Sequence, residues 1–480
     1  MLLEGLRSVH AAHRFVATDK LTLDHVSVRR GALHHAQRML SLGLRAGDRV
    51  ALWAHPHAMT AVGLVGNLYA GLVTVPLNPS VGTRELAHVL GDSSPSLVLG
   101  EAPPGRAHAL PSEELSLGYA TEGEREDLGD AHPALVLYTS GTTGAPKGAV
   151  LTRGNIARNL QALASAWDWT REDSLLHALP LFHVHGLVLG LLGPLSLGCS
   201  VTIQQRFEPE AVATALRSYA TMLFGVPTMY HRLAEKSVED KRFARALGRP
   251  RLLVSGSAPL GLREHQRIAD AAGRAVHERY GLTETLINTA VRAGEAPRPG
   301  WVGRALDGVE LRLVDDQRRP AGPGEGSLGE VCVRGPSVFQ GYLGRDEATL
   351  AARDPDGWFF TGDLGCLAED GNLRVVGRRS TDLIKTGGFK VGAGEVEECL
   401  RAHPSVREAA VLGLPDEDLG ERIAAWVVLE PGGHATGDEL VAHVADALGP
   451  QKRPRQVRFV DALPRNAMGK VVKATLKAPT

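Results

Sequence analysis

The sequence predicts an α/β protein with a large N-terminal domain of layered βαβ sheets, an antiparallel β subdomain and a small α+β C-terminal domain. Helix-like and strand-like apolar segments alternate from Ala32 to Leu99, which favours a parallel sheet covered by helices. After Gly300, short apolar strands are separated by Gly and Pro turns, which favours antiparallel pairing. Residues 378–480 then return to mixed helix and strand patterns. We therefore expect domains at 1–377 and 378–480.

In the N-terminal part, apolar residues at helical spacing begin at Ala32 and stop at Gly43, and a strand follows at 50–53. The same cycle predicts a helix at 58–69 and strands at 72–75 and 97–99. Residues 101–133 lose this pattern and become acidic, so we expect a surface loop there. Further buried strands are predicted at 134–138, 222–226 and 252–255.

The C-terminal elements follow from shorter patterns. Strands are predicted at 309–314, 329–333 and 372–376 for the antiparallel subdomain, and at 409–412 and 424–429 for the last domain. Helices are predicted at 395–400 and from Asp438 onwards. Thr436 and Glu439 have the spacing of a capping box ahead of that last helix.

Composition limits the classes of partner. The 480 residues include 53 Lys and Arg and 54 Asp and Glu, a net charge of -1, so no broad field favours nucleic acid or an anionic membrane. The apolar stretch 186–203 is interrupted by Gly and Pro, and we expect a buried helix and strand there, with no membrane span. The four cysteines have no C-x-x-C spacing, which favours reduced thiols and a cytoplasmic protein.

The segment Tyr138-Thr-Ser-Gly-Thr-Thr-Gly-Ala-Pro-Lys-Gly148 directly follows a predicted strand. Glycines let the backbone approach an anion, and amides, hydroxyls and one ammonium can donate hydrogen bonds to phosphate oxygens. The spacing does not fit the G-x-x-x-x-G-K-[ST] loop, because Pro146 stands where the second glycine is required. A flexible linker is the alternative, but the preceding strand and Lys147 favour a phosphate-binding loop.

This segment resembles the signature of adenylate-forming enzymes, the superfamily of acyl-CoA synthetases, peptide-synthetase adenylation domains and beetle luciferases. Seven further motifs occur in the same order, so the resemblance covers essentially the whole chain. They are Pro180-Leu-Phe-His-Val-His-Gly186, Ser255-Gly-Ser-Ala-Pro259, Tyr280-Gly-Leu-Thr-Glu284, Trp358-Phe-Phe-Thr-Gly-Asp363, Gly377-Arg378, Lys385-Thr-Gly-Gly388 and Pro464-Arg-Asn-Ala-Met-Gly-Lys470.

The resemblance implies ATP and Mg²⁺ as cofactors and coenzyme A as co-substrate. It assigns the α-phosphate to Thr283, the metal to Glu284 and Thr143, and the ribose to Asp363 and Arg378. We expect Asp363 to lie in a turn after 358–360. From the residues alone, Asp363 could instead only cap that turn. The segment Tyr280 to Glu284 could likewise be the N-terminus of a helix. The implied nucleotide and CoA contacts are Thr139, Ser140, Gly141, Thr142, Thr143, Gly144, Lys147, Ser257, Ala258, Pro259, Glu278, Arg279, Tyr280, Gly281, Leu282, Thr283, Asp363, Arg378, Lys385, Gly387 and Gly388.

Two further roles are implied for residues whose surroundings in the sequence are uninformative. By resemblance, Lys470 bridges the attacking carboxylate and the α-phosphate, although a solvated lysine would otherwise be expected there. His183 lines the acid pocket as a gate, and the pair His183-Val-His185 lacks the further ligands of a metal centre. The resemblance also implies that the C-terminal domain is mobile, with a hinge at Arg379, Ser380 or Thr381.

The acid substrate depends on two arginines. Arg232 is predicted on the helix after a central strand, and Arg279 precedes Tyr280 directly. Two guanidinium groups in one pocket would suit an acid with a second carboxylate. From the residues alone, a structural salt bridge such as that of Arg279 with Glu278 is an equally good interpretation. The local motifs resemble malonyl-CoA synthetases, which implies that Arg232, Arg279, His183 and Ser255 bind malonate and also methylmalonate.

The expected activity is therefore formation of malonyl-CoA, AMP and pyrophosphate from malonate, ATP and CoA through malonyl-AMP. Three alternatives remain open: an acyl-CoA synthetase for another small acid, an adenylating enzyme that loads a carrier protein, and a non-catalytic nucleotide-binding relative. We expect a monomer or small homo-oligomer with small-molecule partners, with no nucleic acid and no membrane.

Overall fold

The structure is a computed structural model. It describes residues 2–7, 14–106, 108–118, 120, 128–139, 146–322, 324, 327–379, 382–387, 389–465 and 471–477. Within these ranges the strands form four sheets. Two large sheets and an antiparallel sheet are built from strands up to Arg378, and a smaller sheet follows.

The first large sheet has a parallel centre in which alternate residues face two different cores. Phe224 packs in the main core, whereas the adjacent Leu223 packs under the helices on the opposite face. This two-sided burial explains the continuous apolar runs that predict these strands. The strand order is Arg304–Ala305, Leu286–Ala290, Val276–Leu282, Leu252–Ser255, Met222–Gly225, Ser174–His177, Ser200–Ile203, Phe15–Thr18 and Thr22–Asp24.

The second large sheet contains the βαβ alternation predicted near the N-terminus. The region expected to be loop, 101–133, also contributes the short strand Ser112–Glu113, which pairs parallel to Leu97–Leu99. That expectation was wrong there because two-residue pairing leaves no periodic signal. The strand order is Gly341–Tyr342, Gly148–Thr152, Pro133–Tyr138, Val73–Leu77, Arg49–Trp53, Leu97–Leu99 and Ser112–Glu113.

Helices cover these sheets, and their ends match local sequence signals. Thr152 and Asn155 form a reciprocal capping box at the start of Arg153–Trp167. The buried segment after His185 is a π-helix, His185–Leu192, which runs into the helix Gly193–Leu197. The remaining α-helices are His25–Ser41, Ala58–Tyr69, Thr83–Ser93, Pro209–Ser218, Pro227–Glu239, Lys241–Leu247, Leu262–Ala272, Asp346–Ala351, Ala393–Ala402 and Gly437–Leu448, and the 3₁₀-helices are Glu4–Arg7, Pro450–Lys452 and Lys473–Lys477.

The third sheet is antiparallel, as the short Gly- and Pro-bounded strands predict. Its order is Pro320–Ala321, Glu310–Val314, Gly329–Arg334, Phe359–Leu367 and Leu373–Arg378. Asp363 lies inside the strand Phe359–Leu367, directly opposite Arg378, so its expected position in a turn is wrong. Gly362, with φ of +71°, interrupts the strand pattern just before it and gives the segment the sequence character of a turn.

The fourth sheet forms the core of the C-terminal region. It comprises Phe389–Gly392, Leu383–Thr386, Gly420–Leu429, Val406–Asp416 and Gln456–Phe459. Ion pairs of Arg263 with Glu430 and of Arg374 with Glu398 join this region to the preceding one. The domain limit at 377 and 378 stays a prediction.

The predicted capping box of the last α-helix is present. The Glu439 backbone N–H donates to Thr436 Oγ1 at 3.3 Å, and the Thr436 backbone N–H donates to Glu439 Oε2 at 2.7 Å. Two N–H groups that the helix cannot pair internally are thereby satisfied. The helix Gly437–Leu448 accordingly begins where the sequence signal places it.

The cores contain all four cysteines, Cys199, Cys332, Cys366 and Cys399, as buried free thiols. Burial raises the pKa of the Cys199 thiol to about 12. In the part of the chain that the structure describes, no helix combines the length and the hydropathy needed to cross a membrane.

Candidate active site

The base of the predicted phosphate loop is a strand pair. Pro133–Tyr138 and Gly148–Thr152 run antiparallel with Tyr138 opposite Gly148, and Thr139 N–H donates to Lys147 O at 3.0 Å. The two ends of the loop are therefore held together. The loop residues Ser140, Gly141, Thr142, Thr143 and Gly144 lie outside the described residues.

The segment Tyr280 to Glu284 forms one side of a tight hairpin. Tyr280 ends the regular pairing of Val276–Leu282, and Thr283 and Glu284 lie in the turn before Leu286–Ala290. The alternative of a helix N-terminus is therefore wrong. Leu286 has φ of +55°, an uncommon conformation for a residue with a side chain. Thr283 and Glu284 therefore lie in the same turn, so a hydroxyl for phosphate and a carboxylate for a metal would be close together.

Asp363 is held from two sides. Tyr280 Oη donates to Asp363 Oδ2 at 2.6 Å, and Arg378 Nε lies 2.8 Å from Oδ1. A carboxylate has about four lone-pair sites, so it can still accept hydrogen bonds from two ribose hydroxyls. Burial, and then the Asp363 charge, raises the pKa of Tyr280 well above its ordinary value, which keeps its hydroxyl a donor.

Three of the implied nucleotide contacts lie in an exposed turn, and the resemblance places them against adenine. Ser257, Ala258 and Pro259 are exposed, and Ser257 has φ of +73°. Glu278 supports this turn from behind: its carboxylate accepts from Leu260 N–H at 3.0 Å and pairs with His265 Nε2 at 3.0 Å. Glu278 is 2% exposed, so these contacts hold the turn in place, and its contact with nucleotide stays a prediction.

Arg279 is buried with an unsatisfied donor. It is 6% exposed, and no partner for its Nε is found among the described residues. The alternative salt bridge with Glu278 does not form, because neighbouring residues of a strand face opposite sides of the sheet. Its guanidinium packs so closely on Gly256 that a Cβ there would lie 2.4 Å from Arg279 Cζ. Burial lowers the pKa of Arg279 to about 10, so it stays cationic at neutral pH.

Other buried polar groups without partners accompany Arg279. His185 is 4% exposed, and neither of its ring nitrogens has a hydrogen-bond partner among the described residues. Burial, and then the Arg279 charge, lowers the pKa of His185 well below its ordinary value. Ser255 Oγ is likewise buried and without a partner in the described part of the chain. Buried donors of this kind suit an incoming acid, because each unpaired polar group otherwise costs about 1–3 kcal/mol.

His183 and Arg232 occupy more open positions. His183 is half-buried with its ring 4.4 Å from that of Phe182, and burial lowers its pKa to about 4. Arg232 lies on the exposed side of Pro227–Glu239, where Thr228 is one turn earlier. The helix begins directly after the central strand, as the sequence predicts. The convergence of Arg232 with Arg279 stays a prediction.

The predicted contacts Lys385 and Gly387 lie at a hairpin of the C-terminal region. Lys385 and Gly387 are exposed, and the Lys385 backbone N–H donates to Glu421 Oε2 at 2.7 Å. Gly387 has φ of +56°, and its N–H donates to Leu419 O at 2.9 Å. Gly388 and Lys470 lie outside the described residues, as do Ser380 and Thr381 of the predicted hinge.

One residue of the site gave no signal in the sequence. Tyr342 Oη donates to Glu284 Oε1 at 2.8 Å, and Lys147 Nζ lies over the Tyr342 ring, 5.0 Å from its centroid. The pair Gly341-Tyr342 belongs to none of the quoted motifs and stands far from both partners along the chain. Sheet pairing of Tyr342 with Ala149 places the ring near Lys147, and the hydrogen bond from Phe339 N–H to Glu284 O holds Glu284 beside the same segment.

The paired strands at the ends of the Gly-rich loop, the buried Asp363 and the adjacent Thr283 and Glu284 together fit the site of an adenylate-forming enzyme. Residues 8–343 match the AMP-binding enzyme family, and residues 395–470 match the AMP-binding enzyme C-terminal domain. The chain belongs to the AMP-binding enzyme family and is an AMP-forming acid–thiol ligase.

Sequence relatives include malonate–CoA ligase of Arabidopsis thaliana, which is 36% identical over 91% of this chain and 78% of its own length. The human mitochondrial malonate–CoA ligase is 36% identical, with 89% of this chain and 82% of its own length covered. A feruloyl-CoA synthase of an Amycolatopsis species is 35% identical, with 95% and 93% covered. Identities of 35–36% to these sequence relatives therefore do not by themselves separate malonate from ferulate.

Two solved structures are also similar. A malonyl-CoA ligase in a ternary product complex with methylmalonyl-CoA and AMP is 50% identical, with a TM-score of 0.74 and coverage of 97% of this chain and 99% of that one. ATP-bound MatB from Rhodopseudomonas palustris is 34% identical, with a TM-score of 0.91 and coverage of 99% and 98%. The fold class and the predicted resemblance are thereby confirmed.

Proposed function

We propose that the chain is an ATP-dependent malonyl-CoA synthetase that converts malonate, and also methylmalonate, with ATP and CoA into the acyl-CoA, AMP and pyrophosphate. The observation that carries the choice of acid is the buried Arg279, for which no ion pair is found among the described residues. A cation sealed in this way needs an anion, and a distal carboxylate supplies one. The 50% identity to a ligase in complex with methylmalonyl-CoA supports the same acid.

In the first step, a malonate carboxylate oxygen attacks the α-phosphorus of ATP, and the bond to pyrophosphate breaks. Thr283 holds the α-phosphate, and Lys470 stabilises the negative charge that develops on its oxygens. Asp363 and Arg378 hold the ribose, and Ser257 to Pro259 pack against adenine. Arg279, Arg232, His183 and Ser255 hold the acid.

Magnesium fits the donor groups of the site. This ion prefers oxygen ligands and is commonly bound by one or two carboxylates together with substrate phosphates. Glu284 provides one carboxylate next to Thr283, and one of its oxygens is already oriented by Tyr342. When bound, the ion neutralises phosphate charge; Glu284 and the Thr143 hydroxyl would hold it.

In the second step, the CoA thiol attacks the carbonyl carbon of malonyl-AMP and AMP leaves. We propose that the domain 378–480 rotates between the steps, so that Lys470 withdraws and Lys385, Gly387 and Gly388 line a channel for pantetheine. The chain superposes better on the ATP-bound structure than on the product complex, which is more similar in sequence, with TM-scores of 0.91 and 0.74. This difference supports two domain arrangements, with the hinge among Arg379, Ser380 and Thr381.

The deciding experiment measures AMP release with ATP, CoA and a panel of malonate, methylmalonate, acetate, propionate and ferulate. We expect malonate to exceed propionate in kcat/KM by roughly 10⁴-fold, because a monoacid leaves Arg279 unpaired. Ferulate or acetate as the preferred acid would refute the malonate assignment. A carrier protein tested in place of CoA shows which of the two accepts the acyl group. Loss of acid-dependent pyrophosphate release in Lys470→Ala excludes a non-catalytic relative.

A further inference from the structure

Tyr342 lies between two residues of the nucleotide site that come from different parts of the chain. Its hydroxyl donates to Glu284 Oε1 at 2.8 Å, and its ring face lies under Lys147, with Nζ 5.0 Å from the centroid. Glu284 belongs to the hairpin turn before Leu286, whereas Lys147 ends the phosphate loop. One side chain therefore contacts both the expected metal ligand and the expected phosphate-binding lysine.

The position of the ring is fixed by the fold. Tyr342 pairs with Ala149 across two strands, and its backbone N–H donates to Thr349 Oγ1 at 2.9 Å. Phe339 packs edge-on against the ring at 4.8 Å between centroids, and Phe339 N–H donates to Glu284 O at 2.7 Å. The backbone of Glu284 and the ring that contacts its side chain are thus tied to the same segment.

Both contacts have clear chemical consequences. A hydrogen bond to one carboxylate oxygen selects a side-chain orientation and leaves the second oxygen for a ligand, as partners of metal-binding residues commonly do. An ammonium over an aromatic face is attracted by the ring and keeps its N–H groups free for anions.

We propose that Tyr342 is a positioning residue for the metal–nucleotide complex: its hydroxyl orients Glu284 toward the metal, and its ring holds Lys147 at the phosphates. The inference rests on the assignment of Glu284 to magnesium in the proposed function. The two contacts make different demands on the side chain. The hydroxyl alone serves Glu284, whereas any aromatic ring of this size serves Lys147.

Two variants separate these demands. Tyr342→Phe keeps the ring and removes the hydroxyl, and Tyr342→Leu removes both. Binding of Mn²⁺ is measured by electron paramagnetic resonance with α,β-methylene-ATP, which resists cleavage at the reacting bond. Binding of the same analogue in EDTA is measured by calorimetry. We expect Tyr342→Phe to weaken Mn²⁺ binding about 10-fold while metal-free nucleotide binding stays at the wild-type value, and Tyr342→Leu to weaken both.

Controls distinguish the failure of this inference from that of the metal assignment. Tyr219 is 44% exposed, and Tyr219→Phe should bind Mn²⁺ and nucleotide as the wild type does. If Glu284→Gln weakens Mn²⁺ binding and Tyr342→Phe does not, the role of Tyr342 is refuted while the metal site stands. If Glu284→Gln also binds Mn²⁺ normally, the metal assignment itself is refuted. Retained metal-free nucleotide binding shows that Tyr342→Phe is folded.

Discussion

Lys473 Nζ forms an ion pair with Asp382 Oδ1 at 2.6 Å, and this pair ties the last helix of the described chain to the segment just after the predicted hinge. The same ammonium lies 2.6 Å from Glu397 Oε1. All three side chains are less than a fifth exposed, at 16–17%. Removal of one partner from a buried pair costs about 3–5 kcal/mol, because it leaves the other charge uncompensated.

We therefore expect Lys473→Met to lower the free energy of unfolding of the C-terminal domain by about 3 kcal/mol, measured by denaturant titration. The base of the segment that carries Lys470 is close by, since Val472 N–H donates to Pro464 O at 2.8 Å, so adenylation should slow as well. Lys241→Met, at an exposed lysine, is the matched control. A wild-type unfolding curve for Lys473→Met would contradict a stabilising role.

The same ion pair predicts alkaline behaviour. Burial alone would lower the pKa of Lys473, but the carboxylates of Glu397 and Asp382 raise it above the ordinary 10.5. A raised folded-state pKa means that this stabilisation is complete below pH 10.5 and is lost as the pH rises beyond it. Denaturant titrations at pH 8 and 11 should show a steeper loss for the wild type than for Lys473→Met. Equal losses of stability in the two proteins would exclude Lys473 as the source of the alkaline dependence.

Arg279 provides the test of acid specificity. We expect Arg279→Ala to lower kcat/KM for malonate by at least about 100-fold, because the distal carboxylate loses a buried charged donor. The value for propionate should fall far less, since propionate has no group to pair there. The control is Arg245→Ala, which alters an exposed helix arginine whose Nε donates to Lys241 O. If kcat/KM falls equally for malonate and propionate, Arg279 has only a structural role.

The sequence predicts well where periodicity and local chemistry agree. The helix Ala58–Tyr69 and the strand Leu252–Ser255 have the predicted bounds, because each is mostly apolar and almost wholly buried. Relationships between distant segments are a different matter. Tyr342 meets Lys147 through sheet pairing, and it meets Glu284 through a backbone contact at Phe339; single-sequence patterns encode neither.

Site prediction shows the same division. Motif resemblance identified Thr283, Glu284 and Asp363 as site candidates, but it gave no view of the strand alternation around them. That alternation turns Glu278 towards Leu260 and His265 and leaves Arg279 on the opposite face. Two adjacent charges in the sequence therefore serve different purposes, and only the pleat of the strand separates them.

His25 predicts a dependence of stability on acid pH. It is fully buried, and burial, followed by the Arg14 charge, lowers its pKa from 6.5 to about 4. The unfolded chain therefore takes up a proton below pH 6.5 while the folded chain does not, so stability falls as the pH drops towards 4. The loss at pH 5 is about 2 kcal/mol for a shift of this size.

We expect His25→Leu to remove this part of the acid loss. The quantity to compare is the difference in free energy of unfolding between pH 7.5 and pH 5, because leucine also changes packing at both pH values. His434→Leu, at an exposed histidine, should keep the wild-type difference. An unchanged difference in His25→Leu would mean that His25 is protonated in the folded state.

Gly281 tests the hairpin that carries Thr283 and Glu284. A Cβ at this position would lie 1.9 Å from Leu286 O and 2.8 Å from Ile287 Cα, and these backbone atoms cannot move cheaply. We expect Gly281→Ala to lower the free energy of unfolding by about 3 kcal/mol and to weaken ATP binding, measured by denaturant titration and calorimetry.

The matched control for Gly281 is a glycine with open space around it. Gly91 lies in the helix Thr83–Ser93, and nothing stands within 4 Å of a Cβ built there. Gly91→Ala should be neutral or stabilising by about 0.5–1 kcal/mol, because alanine loses less backbone entropy in a helix. If Gly281→Ala instead matches Gly91→Ala in stability and ATP binding, the hairpin tolerates a side chain, and close backbone approach is not what positions Thr283 and Glu284.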